Sequence, residues 1–182
     1  MFRCLSIFIF LISTSITQAS DREKIIENLQ KTENLKFKFE QNINGKIENG
    51  YCTIQYPKKI FCDYMKSNQK TLVSNGKSLV IKTKSSFYRY PLNKTPLNLI
   101  LDKKFLIKKI NNSDEKIIDN SYINYRIIEN DNEINVFFDN KTYNLIGWQT
   151  KDIYQNINIT YLFSIQVNQE IDKNLFKLPS QN

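Results

Sequence analysis

A chain of 182 residues is long enough for one domain with a sizeable core, and no Gly/Pro/Ser-rich linker divides it. Its formal charge is +8, from 26 Lys and Arg against 18 Asp and Glu, spread along the chain rather than gathered in one block. That balance suits anionic lipid headgroups, acidic partners or simple solvation, while the absence of histidine removes the commonest general base near neutral pH and argues against an enzyme.

Residues 1–19 have the parts of a secretory signal: Arg3, an apolar run from Leu5 to Ile12, and Thr17-Gln18-Ala19 with small residues at the −3 and −1 positions. A signal anchor is the alternative, but the run is well short of the ~20 residues that span a bilayer. Cleavage after Ala19 is expected, leaving a single domain over 20–182. Cys4 precedes the apolar run, so it is not placed to become the lipidated first residue of a mature lipoprotein. Export also makes nucleic acid the weakest of the partners that the charge allows.

Ser20-Asp21-Arg22-Glu23 has the spacing of a capping box, and Ile25, Ile26 and Leu29 follow at helical spacing, which predicts a helix to about Thr32. From Leu35 the period becomes two, with Leu35, Phe37 and Phe39 alternating against Lys36, Lys38 and Glu40. Gly50 to Lys66 reads as a hairpin turning at Pro57-Lys58, with Cys52, Ile54 and Tyr56 on one face beside Ile60, Cys62 and Tyr64. Asn75-Gly76 carries the type I′ signature, and a two-residue loop there pairs Leu72 with Leu79. Further strands are expected at Phe87 to Tyr90, Tyr122 to Ile128, Ile134 to Phe138, Tyr143 to Trp148 and Ile157 to Phe163. Thr95-Pro96 reads as an N-cap and first helical position ahead of Leu97, Ile100 and Leu101. Asp172 is placed to cap a late turn of helix with Leu175 and Phe176. Asn111 to Asn120 is polar and weakly patterned. The whole reads as an antiparallel sheet with helices at its start, middle and end.

The ordered set Gly50-Tyr-Cys-Thr-Ile-Gln-Tyr-Pro57, Val73-Ser-Asn-Gly-Lys77 and Tyr90-Pro-Leu-Asn-Lys-Thr-Pro-Leu97, extended by Gly147-Trp148 and Leu175-Phe176, resembles the outer-membrane lipoprotein carrier (LolA) family. The resemblance implies an α+β fold: an antiparallel sheet curled into an unclosed half-barrel, with a lid of about three short helices over its concave apolar face. It implies a periplasmic, monomeric chaperone without cofactor.
 
Such a chaperone receives acylated lipoproteins from an inner-membrane lipoprotein-releasing ABC transporter and passes them to an outer-membrane acceptor. The alternative is a periplasmic sensing module of similar fold for lipids or lipoproteins. Members usually hold a basic latch residue before the proline matching Pro57; here Tyr56 stands there, and Lys58, Lys59 and Arg89 are the other latch candidates.

On this reading Ile54, Tyr56, Ile60, Tyr64, Leu72, Leu79, Ile81, Leu97, Ile100 and Leu101 are the acyl-chain-binding candidates, although on the residues alone they would serve equally as an ordinary core. Cys52 and Cys62, on one hairpin face in an oxidising compartment, are a cross-strand disulfide or two buried thiols. A zinc site would need two more ligands that the missing histidines do not supply.

Overall fold

The computed structural model describes residues 19–65, 68–118, 120–129, 132–151 and 155–181. The signal segment expected at 1–19 lies outside them except for Ala19. Helix α1 (Asp21–Lys31) opens on the expected capping box, with the Ser20 hydroxyl accepting from the Glu23 amide and the Glu23 carboxylate accepting from the Ser20 amide. Its buried residues are Ile25 and Leu29.

Six strands follow as a meander: β1 (Asn34–Ile43), β2 (Lys46–Gln55), β3 (Lys59–Tyr64), β4 (Thr71–Asn75), β5 (Ser78–Lys82) and β6 (Phe87–Pro91). After a 3-10 turn at Leu92–Lys94 come α2 (Leu97–Ile100) and α3 (Lys103–Asn111). A second meander comprises β7 (Glu115–Ile118), β8 (Tyr122–Glu129), β9 (Asn132–Asp139), β10 (Leu145–Lys151) and β11 (Ile157–Val167). Antiparallel pairing of β1 with β11 joins the two meanders into one 11-stranded sheet, ordered β6-β5-β4-β3-β2-β1-β11-β10-β9-β8-β7. The end strands β6 and β7 do not pair with each other, so the sheet stays an unclosed half-barrel.

Alternation sends Leu35, Phe37 and Phe39 to the same face as Ile54, Ile60, Tyr125, Val136 and Trp148, and these pack in one core with Ile25, Leu29, Ile100, Leu106 and Ile110 of the helices. The helices therefore cover the concave face. Helices α1 and α3 run antiparallel and are tied at both ends. Arg22 donates to the Ser113 carbonyl at 2.8 Å, and the Lys103 ammonium donates to the Thr32 carbonyl at 2.8 Å, satisfying an end carbonyl of α1.

Several local expectations change. Leu72 pairs with Ile81, and Leu79 with Ser74. The Asn75 side chain accepts from the amides of Lys77 and Ser78, both at 3.0 Å, so Asn75 stays in its strand and the positive φ falls on Gly76, at 96°. A partner shift of two leaves every side chain on its expected face.

The Thr95 hydroxyl donates to the Leu92 carbonyl instead of capping α2. Tyr143, at φ 58°, lies before β10 rather than in it. Asp172 closes only a turn, accepting from Asn174, and no late helix forms. The chain from there lies against the convex side of β3 to β5, with Phe176 buried, Lys59 over its ring and Lys82 donating to the Ser180 carbonyl. The unpatterned stretch from Asn111 contains the end of α3 and the edge strand β7.

Candidate functional site

The site forms where two patterned surfaces meet. Strands β1 to β5 present Phe39, Ile60, Leu72 and Leu79, and the short helix α2 presents Leu97 and Ile100 against them. Between these walls lies a cavity of about 200 Å³. Its apolar end also carries Cys52 and Cys62, directly paired across β2 and β3 with Cα atoms 4.1 Å apart and joined by a disulfide. Its other end is polar and comes from β1, β10 and β11: Gln41, Thr150, Asn158 and Thr160, with Lys151 at the rim and Trp148 beside them.

Of the ten residues expected to hold acyl chains, Ile60, Tyr64, Leu72, Leu79, Leu97 and Ile100 line this cavity. Ile54 and Leu101 are fully buried in the core behind it. Ile81 lies on the same sheet face but borders a neighbouring open cleft with Tyr88 and Lys70. Tyr56 sits past the end of β2, packed against the core, with the Lys103 ammonium 5.8 Å from its ring centre. Among the described residues the buried Tyr56 hydroxyl has no hydrogen-bond partner, and burial pushes the phenol well above its ordinary pKa.

Sequence reasoning does not reach the lining from β10 and β11, because these strands lie far from the hairpin in sequence. Their period-two alternation was the available signal, and it needed the β1–β11 pairing to become a wall.

Among the four latch candidates, Lys58 is the one bonded to the lid. Its main-chain N–H donates to the Leu101 carbonyl at 2.9 Å, and its ammonium lies 3.2 Å from Asp102, the residue whose carboxylate caps α3 through the Phe105 amide. The Lys58 carbonyl in turn accepts from Ser74 at 2.9 Å. Lys59 reaches Gln55 and the Phe176 ring, and Arg89 reaches Ser78.

A polar row crosses the concave face between the cavity and the cleft. The Tyr64 hydroxyl donates to Gln41 at 3.1 Å, and the Gln41 amide donates to Thr160 at 3.1 Å. Beside them Glu48, with its side chain only 4% exposed, is ion-paired to Lys70 and Lys46. Burial alone would raise the Glu48 carboxyl, but hydrogen bonds and charge from the two lysines hold it below its ordinary value. The Tyr64 phenol is pushed up by burial and then by the charge of Glu48. Among the described residues, no cluster of three or more His, Cys, Asp or Glu is placed to hold a metal ion.

The sequence matches, over residues 30–179, the family described as outer membrane lipoprotein carrier protein LolA. The chain belongs to the LolA family. No curated protein matches its sequence. The fold is shared with an uncharacterized conserved protein from Thermus thermophilus at 6% identity and a TM-score of 0.51, covering 90% of this chain and 96% of that one.

A LolA superfamily protein from Nitrosomonas europaea aligns at 7% identity and 0.45, covering 88% and 99%. The MucA/MucB complex from Pseudomonas aeruginosa aligns at 7% and 0.47, covering 88% of this chain and 62% of that one. At such identities these likenesses concern the fold. Among the described residues no helix is long and apolar enough to cross a membrane.

Proposed function

We propose that this LolA-family chain is a periplasmic carrier that takes acylated lipoproteins from an inner-membrane ABC transporter and delivers them to the outer membrane, holding their acyl chains against the concave sheet face. The observation that carries this reading is an apolar cavity roofed by a four-residue helix and fastened at one corner through Lys58. Each buried methylene is worth roughly 0.8 kcal/mol, so one ~16-carbon chain costs on the order of 12 kcal/mol to leave in water. A protein bearing such chains needs cover to cross an aqueous space.

The cavity, at about 200 Å³, is smaller than the 300–1,000 Å³ of ordinary small-molecule pockets. Loading therefore requires α2 to lift, and Leu97 and Ile100 then compete with the passenger for the same wall. That competition keeps binding reversible. Ile81, Tyr88 and the adjoining cleft extend the wall once the lid has moved.

The test is release of lipoproteins from inner-membrane vesicles holding the ATP-driven transporter. Added protein should bring acylated lipoprotein into the soluble fraction as a one-to-one complex. If lipoproteins stay in the vesicles at every concentration, this reading fails.

A further inference from the structure

The polar end of the cavity has no role in holding alkyl chains, and one of its atoms lacks a partner. Asn158 lines the cavity, on the concave face between Ile43 of β1 and Thr150 of β10, and its buried Oδ1 accepts no hydrogen bond among the described residues. A buried acceptor left unpaired costs roughly 1–3 kcal/mol. A ligand that supplies the missing donor recovers that energy.

The neighbouring groups narrow the chemistry. Thr150 and Thr160 carry hydroxyls that donate as well as accept, Thr160 already accepting from Gln41. Among the described residues no carboxylate lines the cavity, so a cationic head would lack a counter-ion there. A carboxylate head would face the Asn158 oxygen, which repels it, and the cation at the rim, Lys151, is already ion-paired with Glu133 at 3.4 Å. A neutral group with one N–H donor and one carbonyl acceptor satisfies both sets.

We infer that the β10–β11 end of the cavity is a subsite for the secondary amide of an N-acyl chain, with Asn158 accepting its N–H and the alkyl chain running toward β3 to β5 beneath α2. An acyl chain joined to a protein's terminal amine is such an amide, so the subsite would favour amine-acylated passengers over ester-linked chains. This inference rests on the reading that the cavity takes acyl chains, and the experiment separates the two.

Displacement of an apolar fluorescent dye from the full mature protein is measured with N-methyldodecanamide, N,N-dimethyldodecanamide and methyl dodecanoate. The secondary amide should displace the dye at about tenfold lower concentration than the tertiary amide or the ester, the gain expected of one satisfied buried acceptor. Asn158→Leu should erase that preference, so that the secondary amide displaces the dye no more readily than the tertiary amide or the ester. Equal displacement by the secondary and tertiary amides of the wild type overturns the subsite, whether or not the variant folds, while the acyl-cavity reading survives. Equal weakening of all three ligands by Asn158→Leu also overturns it, because the residue would then support only the wall. If neither the dye nor any of the three binds, the acyl-cavity reading falls and the subsite with it.

Discussion

Lys58 follows the turn at Tyr56-Pro57 with φ at 66°, a left-handed conformation uncommon for a residue with a side chain. There its main-chain N–H meets the Leu101 carbonyl while its ammonium meets Asp102. Both partners of the ion pair are about a third exposed, so its worth to global stability is under about 1 kcal/mol. On the proposed carrier reading, its larger effect falls on the balance between closed and lifted lid. Lys58→Met should leave the melting temperature nearly unchanged and raise the affinity for an apolar dye about threefold. Asp102→Asn, which keeps an N-cap side chain, should do the same. The double variant should match either single one, and additive effects in a dye titration would show that the pair does not act as one fastening. No sequence pattern separated Lys58 from Lys59 or Tyr56, because the choice depends on where α3 begins in space.

At the scale of the element, the hairpin face was legible because its alternation is regular, and Gly50 explains why its motif starts with glycine. A Cβ there would strike the Asp63 carbonyl and the Phe39 ring. The polar row on that same face was not legible, since Gln41, Glu48 and Tyr64 come from three strands and Lys70 from the loop before β4.

Removing the Glu48 charge leaves Lys70, whose side chain is 18% exposed, without its closest counter-ion. Glu48→Gln should cost about 2 kcal/mol at pH 7. The folded carboxyl titrates below its unfolded value of 4.5, so its stabilisation is complete above that value and is lost as pH falls through the lower folded pKa. The urea-unfolding stabilities of wild type and variant should therefore converge as pH falls through the lowered folded pKa, and a gap that stays constant across pH would contradict the assignment.

On the proposed carrier reading, the whole molecule divides into a frame and a moving part. Strands β1 and β11 pair along most of their length, and α1 is tied to α3 at both ends. Helix α2 has only four residues, no side-chain cap and a cavity beneath it. Short elements with few buried contacts open first. Amides at 97–101 should exchange with solvent faster than those of β1, and binding of a palmitoylated peptide should speed them further while β1 and β11 stay unchanged. Slower exchange of 97–101 on binding would mean that the ligand lies beneath a closed lid.

By itself the sequence determined the strand periodicity, the N-terminal helix with its capping box, the inward face of the hairpin and, through ordered motifs, the family. Those features are local, or repeat at a fixed spacing, so neighbouring residues carry them. Only the tertiary structure decided that β1 pairs with β11, which brings Gln41, Trp148, Asn158 and Thr160 to the wall opposite Leu72 and Leu79. It also decided that Lys58 is the latch candidate that meets Leu101 and Asp102, and that the chain after Asp172 covers the convex face instead of forming a helix. These depend on contacts between residues tens of positions apart, whose geometry is set by sheet curvature and helix packing rather than by any local preference of the chain.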